Sequence, residues 1–293
     1  MSYSKPIIVG IDFSKASPNV LKHAAGIAKA EGAPLIVVHV VDASKMSHWL
    51  SGRKDASEIE QLCALAKDKV TKLIEEEPAA ADAEIIVRSG RPSVEMQAVI
   101  DEKEAGLLVI AANDYTKKRL GLTASRCVRM AHCDVLVLRD WQEGKFCRVL
   151  AAVDMSPSSK AVLEQATEVA VSCGAFLQIV NVIFPPGRDP GGDALESTGT
   201  DESFVEKARA KAQHALENFL SPFEERLASI PHEATVLEAT DPAAKLTYYA
   251  EGGGFDLVVL GTRGHSKLGA KFLGTNTEKL LQDVPLSVLA VRV

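Results

Sequence analysis

The chain has 293 residues, 46% of them hydrophobic and 25% charged, a composition typical of globular proteins. Its length suits two domains of about 150 residues, each able to bury its own core. The formal net charge of −6 disfavours a nucleic-acid or anionic-membrane surface, which would need clustered Lys and Arg. The sequence also lacks the apolar run of about 18 residues that a membrane span requires.

The cysteines favour a reducing compartment. Their number is odd, they are widely spaced, and no two form a C-x-x-C pair; they are Cys63, Cys127, Cys133, Cys147 and Cys173. Such a pattern is typical of free thiols rather than of a disulfide framework. We therefore expect a cytoplasmic protein.

The sequence is duplicated. Residues 7–41, IIVGIDFSKASPNVLKHAAGIAKAEGAPLIVVHVV, align without a gap with residues 149–183, VLAAVDMSPSSKAVLEQATEVAVSCGAFLQIVNVI. The offset grows in steps along the chain, from 142 positions between Asp12 and Asp154 to 153 between Gly121 and Gly274. A repeat of this length indicates a duplicated domain rather than a solenoid. We assign the two domains to residues 1–140 and 147–293.

Each half alternates short apolar runs with helical patterns. The predicted strands of the first half are 6–12, 34–41, 83–88, 107–112 and 134–138, and those of the second are 147–153, 175–182, 232–238, 256–261 and 286–292. Their apolar residues are consecutive rather than alternating, which is typical of parallel strands buried on both faces. Residues 17–31 have a helical apolar face, with Gly32 at the position of a C-terminal cap. The pattern predicts two open α/β domains.

Glycines and hydroxyl residues cluster where the fourth strand of the second half ends. Gly261 ends the strand, Gly264 follows it, and Gly274-Thr275 begins a helix that continues NTEKLLQDV. Glycine allows a ligand to approach the backbone, and a helix N-terminus favours an anion. Open parallel sheets bind ligands beyond the carboxyl ends of their strands. The spacing Gly-x2-Gly-x9-Gly-Thr therefore predicts a phosphate site, although the chain has no Walker A pattern.

Three basic residues lie in the loop between these glycines: Arg263, His265 and Lys267. We expect Arg263 to contact phosphate, because a guanidinium can donate two parallel hydrogen bonds to it. Lys267 is better interpreted as a solvated surface residue.

With these residues the chain resembles a tandem member of the universal stress protein family of adenine-nucleotide-binding domains. The resemblance extends over nearly the whole chain, and Gly261, Gly264, Gly274 and Thr275 match the Gly-x2-Gly-x9-Gly-Ser/Thr motif of the ATP-binding members. It implies two open, parallel, five-stranded α/β sheets flanked by helices, of the adenine nucleotide α-hydrolase-like fold, arranged as an intramolecular pseudo-dimer.

The resemblance also implies roles for single residues. Asp154 falls at the adenine and ribose end of the pocket, the backbone of Val182 against the adenine, and Leu260 against the nucleotide. Asn276 stands where the family usually has an apolar residue. The expected nucleotide-binding set is Asp154, Val182, Leu260, Gly261, Arg263, Gly264, Gly274, Thr275, Asn276 and Thr277. No catalytic or metal-binding residue is assigned, and the expected cofactor is ATP, alone or with Mg²⁺.

Two interpretations of Asp154 are equally supported. Asp154 and Ser156 recur in the first half as Asp12 and Ser14, which favours a shared role in capping the next helix. The same carboxylate can also contact a ligand, and the two roles are compatible.

The first half lacks the glycine pattern. The strand end reads Ile110-Ala111-Ala112, and Gly121-Leu122 stands at the helix start with a loop three residues shorter. We expect that this half has lost the phosphate site and serves as a pairing partner; a different ligand in its pocket is an open alternative. The last strands of the halves, Val135–Arg139 and Ser287–Val293, are apolar and would otherwise form exposed edges. We predict that they pair.

The sequence therefore indicates an ATP-binding regulatory protein whose nucleotide occupies the C-terminal domain. No general base or nucleophile is evident. Two alternatives remain: a slow ATPase or self-phosphorylating enzyme using Thr275, Thr277 or Ser266, and an adaptor that binds a non-nucleotide metabolite. We expect no nucleic-acid or membrane partner, and association of two tandem chains is left open.

Overall fold

The computed structural model describes residues 3–42, 56–112, 120–139, 145–185, 202–262 and 275–293. Its contacts divide the chain into two units. The first contains residues 1–143 together with 287–292, and the second contains residues 144–286 and residue 293. Both units are α/β, which confirms the predicted fold class. Among the described helices, none combines the length and the hydropathy that crossing a bilayer requires.

The first unit alternates strands and helices along the chain. Its strands are β1 (Ile7–Ile11), β2 (Leu35–Val41), β3 (Glu84–Ser89), β4 (Leu107–Ala111) and β5 (Asp134–Leu138), and its helices are α1 (Ser17–Glu31), α2 (Ala56–Glu75), α3 (Pro92–Lys103) and α4 (Leu122–Met130). The five strands are parallel and lie in the order β3-β2-β1-β4-β5. The order reverses beside β1, which places a crevice between the ends of β1 and β4.

Burial follows the consecutive apolar runs of the sequence. In β1, Ile7, Ile8 and Val9 are fully buried, as are Leu107 and Leu108 of β4. Each such side chain contributes about 1.5–3 kcal/mol to stability when removed from water. Helix α1 buries the apolar face predicted from its sequence, and it ends at Gly32, whose left-handed φ of 63° forms the predicted cap.

The second unit repeats this arrangement. Its strands are β6 (Arg148–Ala152), β7 (Phe176–Ile183), β8 (His232–Glu238) and β9 (Leu257–Gly261), and its helices are α5 (Pro157–Cys173), α6 (Glu202–Leu220), α7 (Glu224–Leu227), α8 (Pro242–Gly252) and α9 (Thr275–Asp283). The strands are parallel in the order β9-β6-β7-β8. Their carboxyl ends therefore meet at one edge, where the predicted site residues begin.

The last strand of the chain, β10 (Ser287–Val291), belongs by its contacts to the first unit. It is antiparallel to β5, with Leu289 opposite Leu136 and Ala290 opposite Val135. Every residue of both strands is buried. The prediction that the two final strands pair is confirmed, and the pairing covers an apolar edge that would otherwise be exposed.

A buried carboxylate joins the two ends of the first unit. Asp134, at the start of β5, accepts a hydrogen bond from the hydroxyl of Tyr3 at 2.7 Å and another from the backbone N–H of Arg292 at 2.7 Å. Burial raises the pKa of Asp134, and these two hydrogen bonds oppose that shift. Burial beside this carboxylate also raises the pKa of Tyr3. The cluster therefore ties the first described residue of the chain to its last strand.

Candidate functional site

The end of β6 forms a turn around Asp154. Its Oδ1 accepts hydrogen bonds from the N–H of Ser156 at 3.0 Å and from the hydroxyl of Ser159 at 2.6 Å. The Asp154 N–H in turn donates to Ser159 Oγ at 2.9 Å. This carboxylate therefore organises the turn that leads into α5, but it accepts no hydrogen bond from the first N–H groups of the helix, so it does not cap α5 as the sequence suggested. Contact with a ligand remains a prediction.

The first unit repeats this turn. Asp12 Oδ1 accepts from the N–H of Ser14 at 2.9 Å and from Ser17 Oγ at 3.2 Å. In both units the residue after the aspartate is left-handed and is not glycine: φ is 58° at Phe13 and 59° at Met155. Such a conformation costs on the order of 1–3 kcal/mol and persists where the surrounding structure enforces it. Its recurrence shows that the turn belongs to the shared fold.

The second strand of each unit is linked by a side chain to the end of the first strand. In the second unit the side-chain amide of Asn181, in β7, donates to the carbonyl of Val153 at 2.8 Å. In the first unit His39 Nδ1 donates to the carbonyl of Ile11 at 2.7 Å. His39 thus has the satisfied structural role expected of a histidine in an apolar strand. Asn181 is only 4% exposed, and within the described part of the chain its Oδ1 accepts no hydrogen bond.

The end of β9 is joined to the start of α9. The hydroxyl of Thr277 donates to the carbonyl of Gly261 at 3.0 Å. This bond holds the first turn of α9 at the carboxyl end of β9, so the helix N-terminus lies beside the strand ends. Thr262, which directly follows Gly261, is 2% exposed. Its Oγ1 has no hydrogen-bond partner among the described residues.

The start of α8 differs from the start of the corresponding helix α3. In the first unit Gly90 precedes α3 with φ 155°, and a Cβ there would lie 2.5 Å from Glu95 Oε1. In the second unit the side chain of Asp241 caps α8 instead, accepting from the Ala244 N–H at 3.2 Å. Lys279 of α9 contacts the same carboxylate at 3.3 Å. The cap hydrogen bond, with a smaller contribution from Lys279, lowers the pKa of Asp241.

The structure brings together part of the predicted nucleotide-binding set. Asp154, Gly261 and Thr277 lie at strand ends or at the helix start that meets them, Leu260 is buried in β9, and Val182 is half-buried in β7. Thr275 and Asn276 form the beginning of α9, and the structure describes only their backbone. Arg263, Gly264 and Gly274 lie outside the described residues, as do His265, Ser266 and Lys267.

Sequence reasoning missed four polar residues around these strand ends: Ser156 as a buried hydroxyl, Ser159, Asn181 and Thr262. The duplication held a signal for Ser159, because Ser17 stands 142 positions earlier and makes the same contact. It held a weaker one for Asn181, whose counterpart His39 has a different side chain. The duplication gave no indication of Thr262. This residue is of interest because its hydroxyl is buried and has no hydrogen-bond partner among the described residues.

The first unit has a cavity at the equivalent place. It has a volume of about 360 Å³ and lies at the carboxyl ends of β1, β2 and β4, beside α3 and α4. Leu122, which occupies the position of Thr275, is 71% exposed and does not line this cavity. Among the described residues, the first unit therefore keeps a cavity at its strand ends although the glycine pattern is missing.

The α/β unit is present twice in the chain, and this duplication agrees with the comparisons with known proteins. The model of the universal stress protein family matches residues 4–139 and again residues 145–292. The chain therefore belongs to the universal stress protein family, as a tandem member with two copies of the domain.

Individual relatives support this assignment. A universal stress protein of Mycobacterium tuberculosis is 25% identical over 297 residues, covering 98% of this chain and 96% of its own. One from Thermus aquaticus is 31% identical over 149 residues, covering 50% of this chain and 99% of its own. The crystal structure of a universal stress protein from Archaeoglobus fulgidus superposes with a TM-score of 0.69 at 20% identity, covering 99% and 96% of the two chains. The last comparison concerns the fold alone.

Proposed function

We propose that this protein binds ATP in its second unit and that binding serves a regulatory role in a stress response. The observation that carries the proposal is the hydrogen bond from Thr277 to the Gly261 carbonyl. It fixes a helix N-terminus beside the glycine that ends β9, which is an arrangement suited to phosphate oxygens. Gly264, Gly274, Thr275 and Asn276 would supply further backbone contacts to the phosphates.

Buried polar atoms without partners give independent support. Asn181 Oδ1 lies on β7, Thr262 Oγ1 lies directly after β9, and Ser156 Oγ lies in the turn that follows β6. None of these atoms has a hydrogen-bond partner in the described structure. Each such atom costs roughly 1–3 kcal/mol while it is unpaired. A ligand bearing an amino group, ribose hydroxyls and phosphate oxygens can pair with acceptors and hydroxyls of this kind.

Different residues would bind the adenosine part and the phosphates of the nucleotide. Asp154, Val182 and Leu260 would hold the adenosine part, with the backbone of Val182 against the base and Leu260 packed on it. Arg263 would oppose the phosphate charge, and Mg²⁺ would enter with the phosphates that carry it. Asp154 already accepts two hydrogen bonds through Oδ1, so the position of its carboxylate is set before a ligand arrives.

The geometry of Thr277 argues against its use as a phosphate acceptor. Its hydroxyl proton is engaged with the Gly261 carbonyl, and phosphorylation would replace that bond with a dianionic group beside a carbonyl oxygen. Binding without efficient turnover is therefore the function that we favour. An enzyme would have to use Thr275 or Ser266, or water activated by a group outside the described residues.

Mass spectrometry of the ligand released from freshly purified, denatured full-length protein tests the proposal. We expect ATP in near one-to-one ratio to the chain when purification is rapid and cold. ADP that accumulates with time, above the level in a parallel sample to which EDTA has been added, would support the ATPase alternative instead. A non-nucleotide metabolite as the principal released compound would contradict the proposal.

A further inference from the structure

A groove lies along the outer edge of the sheet in the second unit. It has a volume of about 520 Å³ and is lined by residues 236–238 of β8, by residues of α6 that include Arg209, and by Lys245 of α8. β8 is the outermost strand in the order β9-β6-β7-β8. None of the lining residues belongs to the predicted nucleotide-binding set, so the groove is a feature distinct from the proposed ATP site.

The groove opens on the rim of β8 rather than on one face of the sheet. The connection that contains α6 runs from β7 to β8, and the connection that contains α8 runs back from β8 to β9. Right-handed crossovers that run in opposite directions place their helices on opposite faces of the sheet. Arg209 and Lys245 therefore flank the rim of β8 from its two faces.

Part of the backbone of β8 is free to pair with another strand. At the two ends of the strand, the Pro231 carbonyl accepts from the Leu177 N–H at 2.9 Å, and the Ala239 N–H donates to the Ile183 carbonyl at 3.1 Å. The direction of the backbone polar groups alternates along a strand, so the odd-numbered residues face β7 and the even-numbered ones face outward. The N–H of Val236 therefore points away from β7. Within the described part of the second unit, no strand lies beyond β8 to pair with it.

The groove carries more positive than negative charge. Arg209 donates to Glu238 through Nε and Nη2, which leaves its Nη1 donors for another acceptor. Lys245 is half-buried, and its ammonium makes no ion pair with a described residue. The lining thus presents two cations and one carboxylate, in a chain whose formal net charge is −6. Charge complementarity favours an acidic occupant.

The edge strand of the first unit is protected differently. β3 is the outermost strand there, and its two charged residues, Glu84 and Arg88, are each bound to a residue of α3 at 2.6 Å. Glu95 occupies the position that Lys245 has in the second unit. Charged groups along an edge strand discourage pairing with another chain. The basic groove is therefore a property of β8 and not of both edges.

We propose that this groove binds an extended acidic segment of a partner protein, which adds to β8 as a further strand. The backbone of the segment pairs with the outward polar groups of β8. Successive side chains of a strand point to opposite faces, so two adjacent acidic residues direct one carboxylate towards Arg209 and the other towards Lys245. The preferred segment has neighbouring acidic residues among β-branched ones.

Two hexapeptides of equal composition test this spacing. TVEEVT carries adjacent glutamates, whereas TEVEVT carries both glutamates on one face; both are acetylated and amidated. In full-length protein labelled with ¹⁵N, TVEEVT should shift the backbone amide resonances of Val236 and Glu238. TEVEVT should bind about two- to fivefold more weakly, because it loses one surface ion pair, and the basic analogue TVKKVT should leave both resonances unmoved. Equal affinity of the two acidic peptides, or shifts only at other residues, would overturn the proposal.

Matched variants locate the contacts. Lys245→Ala should remove the preference for TVEEVT over TEVEVT, whereas Lys160→Ala, at an exposed lysine of α5, should retain it. Val236→Pro removes an outward N–H, which an edge strand tolerates, and should abolish the peptide-induced shift at Glu238. Val87→Pro, at an outward N–H of β3, should not. A preference that survives Lys245→Ala, or binding that survives Val236→Pro, would contradict the assignment.

Two other occupants give different results. Shifts of Val236 and Glu238 that depend on protein concentration alone, with a doubled mass by sedimentation, would show that a second copy of the chain occupies the edge. Free glutamate or inorganic phosphate that reproduces the peptide shifts would show a site for small anions. Either result would overturn the proposal.

Discussion

At the scale of single residues, Arg263 provides a test of charge in the loop between β9 and α9. If its guanidinium donates hydrogen bonds to the terminal phosphates, Arg263→Ala should weaken ATP binding more than AMP binding. One partly exposed, charge-assisted contact is worth about 1.5–3 kcal/mol, so the expected loss for ATP is about ten- to a hundredfold. Calorimetric titrations at two salt concentrations should show the ATP–AMP difference shrink as salt rises. Equal weakening of both nucleotides would place Arg263 away from the terminal phosphates.

Asn181 carries a prediction about stability. Asn181→Ala removes the donor to the Val153 carbonyl and should lower the free energy of unfolding by about 1–3 kcal/mol, because that acceptor is left unpaired in a buried position. Asn181→His should recover much of the loss, since His39 makes the equivalent bond in the first unit. Urea unfolding of both variants checks this. If the two are equally destabilised, the duplicated link does not have the structural role inferred here.

The residue scale also shows where sequence reasoning was limited. A structural role for Asp154 could be predicted, because the Asp-x-Ser pattern occurs in both halves of the sequence. The glycine spacing stays a prediction, since Gly264 and Gly274 lie outside the described residues. The unpartnered oxygens of Asn181 and Thr262 could not, because burial and the lack of a partner depend on which strands become neighbours. The position of the Thr277 hydroxyl against Gly261 depends equally on tertiary structure.

At the scale of elements, the cap of α8 offers a matched pair of variants. Asp241→Ala removes the bond to the Ala244 N–H and should cost about 1 kcal/mol. Arg91, the corresponding residue before α3, makes no side-chain cap bond, so Arg91→Ala should cost less. Urea unfolding at neutral pH compares them, and equal losses would contradict the capping role.

The same cap has a definite dependence on pH. The folded-state pKa of Asp241 is lowered, first by the hydrogen bond from Ala244. Its contribution to stability is therefore present above the unfolded-state pKa and is lost as the pH falls through the folded-state value. The stability difference between the wild type and Asp241→Ala should decline on acidification in that range.

Strand positions were predictable because the parallel strands are buried on both faces. Consecutive apolar residues located β1 and β9 within a residue or two of their observed ends. By its contacts β10 belongs to the first unit, and this was harder to predict from the sequence. It depends on a pairing with β5, which lies about 150 residues earlier in the chain. The prediction of this pair rested on the two apolar edges that had to be covered and on the pseudo-dimer that the family resemblance implies.

At the scale of the whole molecule, Asp134 connects the start of the chain with its last strand. Burial raises its folded-state pKa above the ordinary value. As the pH rises from the unfolded-state pKa through the folded-state value, the unfolded chain loses its proton first, so the free energy of unfolding falls. Asp134→Asn should remove this dependence. Urea unfolding at a series of pH values, from the unfolded-state pKa upward through the raised folded-state pKa, should therefore show the wild type losing stability relative to the variant.

A control variant separates this effect from general charge. Asp82 is an exposed carboxylate in the same unit, and Asp82→Asn should leave the pH dependence of the wild type in place. A stability difference between wild type and Asp134→Asn that is constant, or that grows in favour of the wild type as pH rises, would show that the hydrogen bonds from Tyr3 and Arg292 outweigh the burial of the charge.

The central claim is that one of the two domain copies binds ATP. Isothermal titration of the full-length chain with ATP tests it most directly, alongside Gly274→Val in the second unit and Gly121→Ala at the matched position in the first. We predict one ATP per chain, binding lost in the folded Gly274→Val protein because the side chain occupies backbone space needed by phosphate, and binding retained in Gly121→Ala. A stoichiometry of two, or ATP binding that survives Gly274→Val, would contradict the account.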